Sequence, residues 1–130
     1  MEGVPKSLPA LVKANRIQEK VAGVGFDWEH PEQVFEKLKE ELAEFQHEVE
    51  NQDQEQMEAE YGDVLFSMVN YARFLNIDPE SALERTNKKF IGRFQYLEQK
   101  AKAMNKSLKE MPLAEMDVFW NEAKSVKHNS

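Results

Sequence analysis

The chain contains no cysteine. That excludes a disulfide framework and any zinc or iron–sulfur site built on thiolates. Glycine and proline are scarce, five of each, and they gather between periodic segments, so long irregular stretches are not expected. No run of about eighteen apolar residues occurs, which leaves no candidate membrane span. The opening MEGVPKSLPALVKANRIQ is too polar for the apolar region of a signal peptide, so a soluble cytoplasmic protein is the expectation. Positive charge is also in deficit: 24 acidic residues against 17 basic ones give a net charge of −7. Nonspecific binding to nucleic-acid polymers works by Lys and Arg neutralising many phosphates, so such a polymer is not an expected partner. A small phosphorylated ligand stays compatible, because a bound divalent cation inverts the local field. Sustained period-two alternation with β-branched residues is missing too, which argues against a sheet.

What is present is helical periodicity. Ser7 as N-cap with Pro9 in the first turn predicts a helix over 7–22, followed by a loop, GVGFDWEHP, over 23–31. A second helix is predicted over 31–49, with Val34, Leu38, Leu42, Phe45 and Val49 forming its apolar stripe. After a polar break over 51–55, a third helix is predicted over 55–75. Met57, Tyr61, Val64, Leu65, Met68, Ala72 and Leu75 make its apolar face, and Phe66 lies on nearly the opposite side. A helix apolar on two sides belongs at the centre of a bundle or at a subunit interface. Asp78 as N-cap and Pro79 at the first helical position predict a fourth helix over 79–104, with Leu83, Phe90, Phe94, Leu97 and Ala101 inward. A last helix over 113–126 contains Met116, Phe119, Trp120 and Ala123. The expectation is an all-α helical bundle in one domain over 1–130, its core completed by dimerisation.

The acid-rich stretch KLKEELAEFQHEVE poses the functional question. At about 100° per residue, with Leu38 at zero, Glu41, Glu44 and Glu40 fall at about −60°, −120° and −160° and so line one flank of the second helix. On the third helix Glu60 and Asp63 again share a flank. Helices joined by a short break lie antiparallel, which lets the two acidic flanks meet. Carboxylates that converge in a cleft need a cation, and an all-oxygen set suits Mg²⁺ or Mn²⁺. A solvated acidic face stays open as the alternative. Glu44-x-x-His47 has the form of half a di-iron site, but no second such pair exists: the other histidines are His30, in a loop, and His128, near the C-terminus. His47 is read as exposed. Lys89 and Arg93 share a helix face, with Arg85 one turn earlier, and suit either solvent, acidic neighbours or phosphate. Phe26, Trp28 and Trp120 suit either base stacking or plugging the end of a bundle.

Glu40-Glu41-x-x-Glu44, fifteen residues, then Glu60-x-x-Asp63 resembles the EExxE…ExxD signature of the MazG-type nucleoside triphosphate pyrophosphohydrolases. VPKSLPALVKANRIQEKVAGVGFDW, EYGDVLFSMVNYARFLNIDPESALERTNKKFIGRF and EMDVFWNEAK also resemble the C-terminal domain of that family's two-domain members, so nearly the whole chain is covered. The resemblance implies an all-α fold, a dimer or higher assembly, and Mg²⁺-dependent hydrolysis of a nucleoside triphosphate to the monophosphate and pyrophosphate. It implies Glu41, Glu44, Glu60 and Asp63 as metal ligands. Glu40 belongs to the motif, positions water or a second metal, and is the candidate general base. Lys89, Arg93 and Trp120 fall where the family contacts triphosphate and nucleotide, and Gly25-Phe26-Asp27-Trp28 matches a loop near the nucleoside. One departure stands out: some relatives carry Lys where this chain has Gln56. The N-terminal domain of two-domain members has no counterpart in these residues. Two rival expectations remain, a narrower dUTP or dCTP pyrophosphatase and a helical dimerisation module without catalysis.

Overall fold

The first helix starts later than Ser7 suggests. Leu8 precedes Pro9, and a residue before proline is pushed out of the α region; residues 5–8 instead form a turn closed by Leu8 N–H to the Pro5 carbonyl. In the computed structural model, which describes residues 1–126, α1 spans Ala10–Ala22, with Pro9 at its N-cap. His128 lies outside the described residues. Then follow α2 (Pro31–Asn51), α3 (Gln54–Phe74), α4 (Pro79–Ala103), a 3₁₀ turn (Leu108–Glu110) and α5 (Leu113–Ser125), with no strand among the described residues. The fold is all-α, as expected. Pro31 and Pro79 sit at first helical positions, and the Asp78 side chain accepts from Glu80 N–H. The polar break shrinks to Gln52, in the left-handed region, and Asp53, which caps α3 by accepting from Gln56 N–H. The 3₁₀ turn, where Ser107 Oγ accepts from Lys109 N–H, was not anticipated. Gly62 and Gly92 depart from the expected placing between segments and lie inside α3 and α4. No helix of the described residues is long and apolar enough to cross a membrane.

The chain divides into two compact units, Met1–Glu80 and Ser81–Ser130. In the first, α2 pairs with α3 and α1 packs on α3. Phe35 meets Tyr71 near one end of the α2–α3 pair and Phe45 meets Tyr61 near the other, at ring distances of 5.5 and 5.6 Å. That order is the antiparallel one. The buried line of α2 is Val34, Leu38 and then Glu41, continued by half-buried Phe45. Leu42 and Val49, expected in the stripe, are exposed. The spacing of Val34, Leu38, Glu41 and Phe45, at i, i+4, i+7 and i+11, turns the carboxylate rather than Leu42 toward α3. On α3 the buried residues are Val64, Ser67 and Val69. Of the expected face Tyr61, Leu65, Met68 and Leu75 are exposed, because α1 and α2 occupy other sides of the helix.

In the second unit Leu97, Ala101, Met111 and Ala123 are buried. Phe90 and Trp120 lie 5.0 Å apart by ring centroids, and the Tyr96 hydroxyl donates to Glu122 at 2.8 Å. Leu83, Phe90 and Phe94 are exposed rather than inward. The 25-residue α4 is nearly twice as long as the 13-residue α5, which cannot cover all of it.

Candidate functional site

Because α2 turns Glu41 into the helix pair, that carboxylate is 6% exposed and faces the α3 residues Glu60 and Asp63. One oxygen from each of the three lies within 4.8 Å of the others. Glu41 Oε2 and Glu60 Oε2 are shut off from solvent without a hydrogen-bond partner among the described residues. Desolvation first, and then the charges of Glu44, Asp63 and Glu41, push the Glu60 carboxyl above its ordinary range. Glu44 thus acts on the cluster electrostatically, although its oxygens are not among the three that converge. Lys37 reaches along α2 to place Nζ 2.9 Å from Glu41 Oε1 and 3.8 Å from Glu40. Its ammonium is held above the usual lysine range, by the Glu41 hydrogen bond first. One lysine against this many carboxylates leaves the negative charge in excess. Hard oxygens, two of them buried and unsatisfied, fit a small divalent cation. Lys37 was missed in the sequence; its position three and four residues before Glu40 and Glu41 was the available signal.

Glu40 does not join the converging oxygens. It is exposed and lines a shallow hollow with Trp28, Gln33, Glu36, Lys37 and Lys39. Trp28 also borders a second cavity, of about 480 Å³, enclosed chiefly by Ile17, Val21, Phe26 and Phe66, with Gln18, Asp27, Asn70 and Arg73 as its polar lining. The loop that carries Phe26 and Trp28 is held at several points. Gly25 turns it with φ of 90°, in the region glycine favours, and Phe26 N–H donates to the Val21 carbonyl. Arg73 grips Asp27 with two hydrogen bonds, of 2.6 and 3.0 Å, and also donates to Asn70 Oδ1. That grip, with the Trp28 N–H bond to Asp27, lowers the Asp27 pKa. Gln33 Oε1 takes the N–H groups of Glu29 and His30 at the start of α2. Phe26, 79% exposed, is not a plug in the bundle's end.

In the second unit Arg93 lies over the Trp120 ring, 6.0 Å from its centroid, and Phe90 packs against the same ring. Lys89, one turn before Arg93 on α4, is exposed. His47 is exposed, as expected, and touches Asn51.

A family model for the MazG nucleotide pyrophosphohydrolase domain matches residues 29–97. The chain belongs to the MazG nucleotide pyrophosphohydrolase family. It is 47% identical over 117 residues to the nucleoside triphosphate pyrophosphohydrolase/pyrophosphatase MazG of Thermotoga maritima, covering 90% of this chain and 45% of that protein. It is 38% identical over 126 residues to a nucleoside triphosphate pyrophosphohydrolase of Escherichia coli, covering 95% of this chain and 48% of that one. YabN of Bacillus subtilis, described as uncharacterized, is 49% identical over 137 residues, which span this whole chain and 27% of YabN. The chain therefore spans less than half the length of these curated relatives. The MazG match takes in all five motif carboxylates together with Lys37, Lys89 and Arg93. Phe26, Trp28 and Trp120 lie outside it.

Proposed function

We propose that this MazG-family chain hydrolyses nucleoside triphosphates to nucleoside monophosphate and pyrophosphate, using Mg²⁺, with Mn²⁺ as substitute, held by Glu41, Glu44, Glu60 and Asp63. The observation that carries this reading is the convergence of the Glu41, Glu60 and Asp63 oxygens, two of these carboxylates each keeping a buried oxygen without a partner among the described residues. A divalent cation held by these carboxylates would supply Lewis-acid activation of the phosphoryl group and of the attacking water. Water attacks the α-phosphorus, the bond to the bridging oxygen breaks, and pyrophosphate leaves with that electron pair. Glu40, exposed and outside the converging set, takes the proton from the attacking water. Lys89 and Arg93, which the family resemblance implies touch the triphosphate, carry the charge that develops on the leaving pyrophosphate. Phe26 and Trp28, beside the cavity, and Trp120 offer faces to the nucleoside.

The 130 residues act as one nucleotide-hydrolysing domain, and they assemble as a homodimer or higher oligomer, a reading supported by the exposed apolar residues Tyr61, Leu65 and Met68 on α3. A panel of NTPs and dNTPs, assayed for pyrophosphate with and without Mg²⁺, tests the activity. Broad, Mg²⁺-dependent release is expected. Turnover of a single pyrimidine nucleotide would replace the broad reading with a narrower one, and no release from any nucleotide with either ion would overturn it.

A further inference from the structure

Gln18 is a polar side chain of α1 that is 3% exposed. Its Nε2 donates to the Phe66 carbonyl at 2.9 Å. That bond fixes the amide's orientation, since the flipped amide would set oxygen against oxygen. The group left over is Oε1, a buried acceptor with no donor among the described residues. A native buried acceptor in that condition calls for a partner. Gln18 lines the 480 Å³ cavity, and the other polar groups there are largely committed to one another: Asp27 to Arg73, and Arg73 to Asn70 Oδ1. The remaining walls, Ile17, Val21, Phe26, Trp28 and Phe66, are apolar or aromatic. An apolar cavity of this size whose wall includes a residue with an unmet polar atom has the form of a specific small-molecule site.

Its position relative to the carboxylates gives the occupant. Asp63, Phe66 and Asn70 stand at i, i+3 and i+7 on α3, so they share one side of the helix. Asp63 and Asn70 are separated by about 10 Å along the axis. Trp28 borders both this cavity and the hollow that Glu40 and Lys37 line. A molecule whose anionic end lies at the carboxylates thus presents its other end, one nucleoside away, to the cavity.

We infer that Gln18 is a specificity-determining residue: the cavity takes the base of the nucleoside triphosphate, and Gln18 Oε1 accepts a hydrogen bond from an amino group on the base edge. This rests on the hydrolase reading above. The chemistry selected is an aromatic heterocycle with an exocyclic amino group, and a base without it leaves the acceptor unmet.

The test compares ATP with purine riboside triphosphate, and CTP with 2-pyrimidinone riboside triphosphate; each analogue lacks the amino group. Affinity is read by calorimetry and turnover by pyrophosphate release, on wild type and on Gln18→Met. In wild type, loss of the amino group should weaken affinity and kcat/KM by roughly three- to tenfold in at least one pair, the size of one hydrogen bond. In Gln18→Met that ratio should fall to about one, a change that simple loss of packing would not produce because it would weaken both members alike. Wild type binding both members of each pair equally overturns the inference and needs no variant to fold. An undiminished ratio in folded Gln18→Met overturns it as well. Discriminating binding without any pyrophosphate release would support the base site while overturning the hydrolase reading. Release at equal rates and affinities from every nucleotide and analogue would do the reverse.

Discussion

The two halves of α3 handle charge in opposite ways. Near its start, Glu60 and Asp63 face buried Glu41, two of these carboxylates keep an oxygen unpartnered among the described residues, and Glu60 is pushed toward its protonated form. Near its end, Arg73 takes both oxygens of Asp27 and leans on Asn70, and Asp27 is held in its ionised form. The same helix thus carries one polar site that the chain satisfies by itself and one that it leaves unsatisfied. The satisfied site fixes a loop. The unsatisfied one has no structural use for its charge, since converging carboxylates oppose folding unless a cation joins them. Gln18 Oε1 bears the same mark in neutral form, a buried atom without a partner among the described residues.

The largest effect should come from breaking the unsatisfied site. Asp63→Ala or Glu41→Ala should lower Mg²⁺-dependent pyrophosphate release by more than about 100-fold, beyond the loss typical of outer-shell partners of a metal. The variants' circular dichroism spectra should match wild type, so that lost activity is separated from lost fold.

Glu60→Gln sharpens the contrast by uncoupling stability from function. Removing a carboxylate from the cluster should raise the melting temperature of the metal-free protein at pH 7 and reduce the further rise that Mg²⁺ produces in wild type, where a ligand at 100 times its Kd adds about 2.7 kcal/mol. The sign of the pH dependence follows. Glu60 binds its proton more tightly folded than unfolded, so its repulsion is fully present above the raised pKa. Metal-free wild type should therefore gain stability relative to Glu60→Gln as pH falls through that raised value toward the ordinary carboxylate range. Melting curves on both proteins across pH check it.

The satisfied site should show the opposite sign. Asp27→Asn should cost about 1 kcal/mol at pH 7, as expected for a charge-assisted bond that is partly open to solvent. Asp27 has a lowered pKa when folded, so its contribution is fully present above the ordinary Asp value, about 3.9, and is lost as pH falls through the lowered one. The wild-type advantage over Asp27→Asn in denaturant melts should be constant near neutrality and shrink in acid.

The smallest effect should come from Gly62, between the carboxylates in the helix. A Cβ there would meet nothing within 4 Å. Gly62→Ala should stabilise α3 by about 0.5–1 kcal/mol through backbone entropy and leave nucleotide turnover unchanged.

Much of this was legible in the chain. The helix order follows from apolar spacing and from Pro31, Pro79 and Asp78 at helix starts, and helical spacing sets Glu41 on one acidic flank and Glu60 with Asp63 on another. Spacing erred where it had to choose among several apolar lines on one helix. α2 buries Glu41 and exposes Leu42 and Val49, a choice made by the facing helix rather than by hydrophobicity. The same reason hid the true buried face of α3, where Ser67 is buried and Leu65 is not. Long-range partnerships were invisible altogether. Arg73 and Asp27 are 46 residues apart, and Gln18 and Phe66 are 48 apart, so no local pattern could have paired them.

The central claim is that the oxygens of Glu41, Glu60 and Asp63 form a cation site. Calorimetric titration of Mn²⁺ into metal-free wild type and Glu41→Gln tests it most directly, because it reads the site without substrate or turnover. The account predicts saturable binding to wild type and its loss in folded Glu41→Gln. Equal affinity in the two proteins, or no binding to wild type, would contradict it.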